Sequence, residues 1–267
     1  MAATSTSADD EPYDDELEER KERQHFAAIL RAFDHYPKWA LARVARLEAD
    51  YARLGPRHCA LLDTAGKVAK MRAAIHANAN LLERVVGPHR AHIGAAEEAA
   101  RAAASSTDAR TRVLVNRPDG NGTQFVAADR ADYVPESDME KLQSTLKQFV
   151  REWGAEGAAE RAAAHEPALA ALQRALPGGT GRGDRVLVPG AGLGRLAWEV
   201  ANLGYTSQGS EFSYFMLLAG NCVLNAQWLR ECGSASVHPY VLQTCNARGV
   251  DDMVLSLIHI SEPTRPY

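Results

Sequence analysis

Apolar residues recur at helical spacing through the first third of the chain. The positions i, i+3, i+4 and i+7 are apolar at Phe26, Ile29, Leu30 and Phe33. This spacing places side chains on one face of an α-helix, where core packing is the simplest role. The pattern resumes after Pro37 and stops at Gly87-Pro88, a pair that typically ends a helix. We therefore predict helices between residues 17 and 86.

A second helical pattern begins at Ser137-Asp-Met-Glu140. This is a capping box, in which Ser137 and Glu140 satisfy each other's free backbone donors, so it predicts a helix start. The apolar stripe of this helix consists of Leu142, Leu146, Phe149, Val150 and Trp153. Gln148 and Arg151 lie three positions apart on its flank, so their side chains are neighbours. The spacing alone indicates surface polar residues. A further helix is predicted over residues 156–175.

The segment after residue 184 has the layout of a nucleoside-cofactor site. A short β-branched run, 185–188, predicts a buried strand, and residues 193–203 carry helical spacing. The turn between them contains Gly190, Gly192 and Gly194. A side chain at Gly192 would stand between the backbone and a ligand, and the following helix N-terminus favours an anion. A second strand ends at Glu211, 21 positions after Gly190, the distance at which such folds place a ribose-binding carboxylate.

The spacing of the glycines distinguishes two cofactors. A dinucleotide fingerprint, G-x-G-x-x-G/A, ends on a small residue, and this chain has Arg195 there. The pattern G-x-G-x-G is instead similar to that of S-adenosylmethionine-dependent methyltransferases. A nicotinamide-dependent oxidoreductase stays the less favoured alternative. Phe212 is open to two readings, as a flank for adenosine or as the start of a buried helix that reaches Leu224.

Longer strings carry a more specific resemblance. Val188-Pro-Gly-Ala-Gly-Leu-Gly-Arg-Leu-Ala-Trp-Glu199 is the central one. The others are residues 25–36, 142–153, 204–218 and 221–225. Together they resemble the carnosine N-methyltransferase family over roughly residues 20 to 254, with a longer insert between about 95 and 135.

This resemblance implies a fold, an activity and a site. The fold is α/β, a helical N-terminal region plus the first half of a doubly wound, Rossmann-like methyltransferase sheet. The activity is methyl transfer from S-adenosylmethionine to an imidazole nitrogen of carnosine or a related histidine-containing peptide, giving anserine. The implied cofactor-binding residues are Gln148, Arg151, Gly190, Gly192, Gly194 and Glu211. Arginine suits the methionine carboxylate. The family's imidazole-binding groups lie beyond the end of this chain, so no catalytic residue is assigned.

The composition of the chain limits the classes of partner and ligand that we expect. The formal net charge of −4 argues against a dedicated nucleic-acid binder. The four cysteines lack C-x-x-C or metal-ligand spacing, which favours free thiols and no metal site. We expect neither a signal peptide nor a membrane span, and a cytoplasmic location with the nucleus also open. The expected partner is a small peptide substrate.

Four regions follow along the chain. Residues 1–19 predict a disordered acidic leader, 20–135 a helical region with an insert, and 136–254 an incomplete cofactor-binding domain. In the insert, residues 112–115 and 124–126 predict a hairpin around a turn at 119–122. Residues 255–267 resemble a translated sequencing adapter, predict no regular structure, and are taken as a non-native tail. Three parallel strands are expected after residue 184. We therefore expect a truncated and inactive enzyme, with a non-catalytic cofactor-binding fragment as the alternative.

Overall fold

Three helices form the first part of the chain that the structure describes. The computed structural model describes residues 15–90, 112–116, 123–127, 134–177, 183–225, 234–243 and 256–259. The first helices are α1 (Asp15–Tyr51), α2 (Pro56–Leu62) and α3 (Thr64–Val86). The helices predicted between residues 17 and 86 are confirmed. Helix α1 continues through Pro37, and a 3₁₀ turn at Gly87–His89 follows α3. Residues 1–14, most of the predicted leader, lie outside the described residues.

The predicted hairpin is also confirmed. Strands β1 (Arg112–Asn116) and β2 (Thr123–Ala127) pair antiparallel, with Leu114 opposite Phe125. The turn predicted at residues 119–122 lies outside the described residues. In the order of the chain, the hairpin comes after the N-terminal helices and before the segment with the glycines.

Helix α4 (Glu136–Trp153) carries the predicted apolar stripe, and every member of it is buried. The predicted capping box is wrong. The N-cap is Pro135, in extended conformation, and no side chain caps the helix, so Ser137 already lies inside the first turn. Glu136 instead accepts a hydrogen bond from Trp39 Nε1 at 2.9 Å and pairs with Arg43, which ties α4 to α1. Helix α5 (Ala158–Ala175) agrees with the prediction for 156–175.

A parallel strand pair follows. Strand β3 (Arg185–Pro189) and strand β4 (Thr206–Ser210) are joined by helix α6 (Arg195–Asn202). They pair in parallel with Val186 opposite Ser207. This confirms both strands, the glycine turn and the helix between them. The prediction that residues 185–188 form a buried strand is wrong except at Val188, because α5 and α6 cover only one face of the pair. Helix α7 (Tyr214–Asn225) comes directly after β4 and Glu211.

The expectation of three parallel strands is wrong for the described residues. Strand β5 (Ser234–Val237) pairs antiparallel with β6 (Ser256–His259) instead of joining β3 and β4. The reason lies after β5, where His238 N–H donates to Asn78 Oδ1 at 2.7 Å and its carbonyl accepts from Asn78 Nδ2 at 2.9 Å. These bonds hold the chain against α3. The prediction of no regular structure after residue 254 is wrong for β6.

Two apolar clusters organise these elements. The larger one, the helical core, joins residues of α1, α3, α4 and α7 with Leu193, Val237 and Val241. The smaller one consists of Val188, Val200 and Tyr205, against which side chains of α5 pack. Helix α7 was expected against the sheet, but its buried residues belong to the helical core. The described chain is thus mostly helical with a small parallel sheet, compatible with an α/β methyltransferase-like fold. No helix within the described ranges is both long and apolar enough to cross a membrane.

Candidate cofactor site

The glycine loop, residues 190–194, connects β3 to α6. Gly190, Gly192 and Gly194 have φ of 63°, 57° and 84°. L-residues with side chains rarely adopt this left-handed conformation, so the turn requires glycine. At Gly190 a Cβ atom would meet nothing within 4 Å, whereas at Gly194 it would lie 2.8 Å from Leu224 Cδ1. The loop is therefore open on the Gly190 side and closed on the Gly194 side.

Glu211 holds this loop from the end of β4. Its Oε2 accepts the Gly192 N–H at 2.9 Å, and its Oε1 accepts the N–H groups of Phe212 and Ser213 at 2.9 and 2.8 Å. A carboxylate offers about four lone-pair sites. Three are used by the backbone, so Oε2 retains one acceptor site. Glu211 is thus bonded to Gly192, 19 positions before it, and not to Gly190, and its Oε2 can still accept a hydroxyl.

Phe212 resolves one of the open readings. Its side chain is 98% exposed, so the reading as the start of a buried helix is wrong. Helix α7 begins two residues later, at Tyr214. A fully exposed aromatic ring beside the carboxylate that holds the loop is available for stacking on a planar ligand.

Helix α4 brings Gln148 to the same loop, and Arg151 lies next to Gln148. Arg151 Nη1 donates to Gln148 Oε1 at 3.4 Å, so the predicted neighbours do meet. Arg151 also pairs with Glu160, to which its Nε donates at 3.0 Å. The hydrogen bond and charge of Glu160 raise the pKa of Arg151, and Arg151 lowers the pKa of Glu160. Both side chains are more than half exposed, at 54% and 56%, so Arg151 is reachable from solvent.

Glu152 is a residue of the site that the sequence reasoning missed. It is 7% exposed, and its Oε1 accepts from Gln148 Nε2 at 2.7 Å and from Leu193 N–H at 2.9 Å. Its Oε2 accepts from Arg195 N–H at 3.1 Å. A charged residue so deeply buried normally has partners like these. The sequence did offer one signal, because Glu152 directly precedes Trp153 of the buried apolar stripe. A carboxylate buried at that position needs hydrogen-bond donors from elsewhere in the chain.

Gly192 owes its identity to this carboxylate. A Cβ atom at Gly192 would collide with Glu152 Oε1, and would lie 3.3 Å from Glu152 Cδ and 3.6 Å from Gln148 Nε2. From the sequence, glycine was expected here because a ligand approaches the backbone. The structure gives a different reason at this position, because the space is filled by the protein's own side chain.

Arg195, the residue that departs from the dinucleotide fingerprint, points away from the loop. Its guanidinium lies 5.0 Å from the ring centroid of Trp153 and 4.7 Å from that of Trp198. Its Nε donates to Glu199 Oε1 at 2.8 Å. Trp153 Nε1 in turn donates to Leu193 O at 3.3 Å. The bulky residue therefore braces α6 against α4 without covering the glycines.

Other features of the described residues do not compete with this site. A groove of about 490 Å³ runs along β3 and β4, lined by Arg185, Val186, Leu187, Thr206, Ser207 and Gln208. No residue of the glycine loop lines this groove. Within the described ranges, no group of three or more His, Cys, Asp or Glu residues could hold a metal ion. Cys59 and Cys222 are free thiols, and Cys232 and Cys245 lie outside the described residues.

Comparison with known proteins identifies the family. A family model described as carnosine N-methyltransferase matches residues 128–264. The match extends past residue 254, where the sequence analysis placed the end of the family pattern. The chain is 35% identical to carnosine N-methyltransferase of Mus musculus over 248 residues, which cover 91% of this chain and 55% of the relative.

Two further relatives carry the same name. Carnosine N-methyltransferase unmet of Drosophila melanogaster is 31% identical over 246 residues, 89% of this chain and 51% of the relative. The protein of Dictyostelium discoideum is 42% identical over 119 residues, 43% of this chain and 25% of the relative. The chain spans about half the length of the mouse and fly relatives. With a family model that matches half of its residues, the chain belongs to the carnosine N-methyltransferase family.

Proposed function

We propose that this chain binds S-adenosylmethionine at the glycine loop, in a Rossmann-like arrangement of β3, α6 and β4. The complete protein would transfer the methyl group to an imidazole nitrogen of carnosine or a related histidine-containing peptide, giving anserine. The observation that carries the proposal is the convergence of Glu211, the glycine loop and the Gln148–Arg151 flank of α4.

The residues present fit the parts of this cofactor. Glu211 Oε2 has an acceptor site left for a ribose hydroxyl, and the exposed Phe212 ring suits the adenine. The guanidinium of Arg151 suits the methionine carboxylate, since arginine binds carboxylates through paired N–H donors. Gly190 leaves open space on the side from which a ligand would approach. Gln148, whose amide is fixed by Glu152, would position the same end of the ligand.

The reaction asks mainly for positioning. When bound, S-adenosylmethionine supplies a methyl group on a sulfonium, and in-line attack by a nucleophile breaks the bond from the methyl carbon to sulfur and releases a neutral thioether. The attacking imidazole must be neutral, and its pKa of about 6.5 already allows this at physiological pH. The methylated ring then loses the proton on its other nitrogen to solvent. The contribution of the residues described here is to fix the cofactor and so lower the entropic part of the barrier.

Calorimetric titration of the chain with S-adenosylmethionine tests the binding step. Glu211→Ala should weaken binding by about 1–3 kcal/mol, because ribose hydroxyls lose a charged acceptor. The matched control is Glu166→Ala, since Glu166 is an exposed carboxylate on α5.

The outcomes separate binding from transfer. No binding heat with the unaltered chain would refute the cofactor assignment, and an unchanged affinity in a folded Glu211→Ala variant would remove Glu211 from the site. An assay of methyl transfer to carnosine by the same preparation tests whether this chain catalyses the reaction by itself. Binding without transfer would support the alternative of a non-catalytic cofactor-binding chain.

A further inference from the structure

The N-terminus of α6 is already occupied by a carboxylate of the protein. Glu152 accepts the N–H groups of Leu193 and Arg195, which lie at the start of this helix. The free N–H groups and the dipole at a helix N-terminus attract an anion. In dinucleotide-binding folds, that position receives a pyrophosphate. Here the same donors are satisfied from within the chain.

Two arginines belong to the helices next to this carboxylate. Arg151 precedes Glu152 on α4, and Arg161 lies on α5. Arg161 is itself fixed, because its Nη1 donates to the carbonyls of Arg151 and Gly154 at 2.8 and 2.7 Å. The α6 N-terminus is therefore backed by a buried negative charge. Arg151, which directly precedes Glu152 on α4, carries an exposed positive charge.

We propose that Glu152 is a positioning and specificity residue of this site. It fixes the glycine loop to α4, orients the Gln148 amide, and excludes phosphate-bearing nucleotides from the α6 N-terminus. A cofactor whose anionic group is received by Arg151 is accepted instead. The identity of that cofactor rests on the proposed function, whereas the exclusion of phosphate does not.

Glu152→Gln tests this role with little change of shape. A glutamine oxygen in the position of Oε1 can still accept from Gln148 and Leu193, while its amide nitrogen faces the Arg195 N–H. The variant thus loses the charge and one hydrogen bond. Glu140→Gln is the matched control, because Glu140 is an exposed glutamate on the same helix.

Each protein is titrated calorimetrically with S-adenosylmethionine and, separately, with inorganic pyrophosphate, and its melting temperature is measured without ligand. In Glu152→Gln we expect the Kd for S-adenosylmethionine to rise on the order of tenfold, because the loop loses the charge of Glu152 and its hydrogen bond to Arg195 N–H. We expect the affinity for pyrophosphate to rise on the order of tenfold, because the repelling charge is gone and a helix N–H is freed. Glu140→Gln should change neither.

The decisive result is that Glu152→Gln binds S-adenosylmethionine more weakly and pyrophosphate more tightly than the unaltered chain does. If both affinities fall together, or neither changes in a folded variant, Glu152 is only a structural support and the proposal is overturned. If Glu152→Gln does not fold, the unaltered chain still provides a test, since effective competition by pyrophosphate against S-adenosylmethionine would overturn it. A chain that binds no S-adenosylmethionine refutes the proposed function, yet the pyrophosphate titration still tests Glu152.

Discussion

The helical core and the parallel strand pair hold their residues in place by different means. In the core, Leu30, Phe149 and Phe215 are at most 2% exposed, and apolar contact comes from several helices at once. On β3, Val188 is buried but Leu187 is 61% exposed, so α5 and α6 cover one face of the pair. Parallel strands usually bury both faces. The glycine loop at the end of β3 is held by both means, since Leu193 is fully buried in the helical core while Glu152 and Glu211 accept N–H groups of the loop.

The comparison predicts that stability resides in the core and ligand selectivity in the loop. The most severe test removes a core ring. Phe149→Ala should lower the free energy of unfolding by about 3–5 kcal/mol, because it opens a cavity among helices that cannot close around it. Chemical denaturation of the ligand-free protein measures this loss.

A loss of unfolding free energy below about 1 kcal/mol, which is typical of surface substitutions and small packing changes, would contradict the inference that stability resides in the helical core. Leu217→Ala serves as the control. Leu217 lies on α7 and is 40% exposed, so its truncation should cost much less.

The second test compares two glycines of the loop, Gly190 and Gly192. Gly192→Ala and Gly190→Ala introduce the same atom at nearly the same φ, but only the first meets Glu152. Gly190→Ala should cost about 1–2 kcal/mol of stability from backbone strain. Gly192→Ala should cost about 1–3 kcal/mol more, since a buried carboxylate and its donors are separated.

Thermal or chemical denaturation without ligand compares the two variants. Equal losses would mean that backbone strain alone explains the glycines. In that case Glu152 would not be what requires glycine at position 192.

The smallest expected effect on stability belongs to Arg151. Its ion pair with Glu160 lies on the surface, where solvent screens the charges and such pairs contribute little to stability. Arg151→Ala should therefore leave the melting temperature nearly unchanged while raising the Kd for S-adenosylmethionine on the order of tenfold, the loss of one charge-assisted contact. A large fall in melting temperature with intact affinity would make Arg151 a structural residue and place part of the stability outside the core.

Local patterns in the sequence were sufficient for most of the helices and for the β3–α6–β4 unit. The stripe from Leu142 to Trp153 and the glycines after Pro189 each determine a local conformation with little help from distant residues. The start of α4 was misplaced because Pro135 and the contacts of Glu136 with α1 outweigh the capping box. Such a contact joins residues 97 positions apart and leaves no local pattern.

The contacts around the glycine loop were predictable only in part. Glu211 follows β4, which pairs in parallel with β3, and this places it next to the loop, where it accepts from Gly192. Glu152 was hidden because its donors, Leu193 and Arg195, lie 41 and 43 positions away. The pairing of β5 with β6 was missed for a similar reason, since Asn78 directs the chain after β5 toward α3.

The contact between Asn78 and His238 also sets an order of events during synthesis. The two residues are 160 positions apart, so at 5–20 residues per second the ribosome needs roughly 10–30 s to join them. Until His238 emerges, Asn78 has Tyr36 Oη as an acceptor in the helical core but no donor for its Oδ1. A buried amide without a partner costs about 1–3 kcal/mol. We therefore expect the newly made helical pair α1–α3 to stay loosely packed on the ribosome, and to tighten only when the chain beyond β5 arrives.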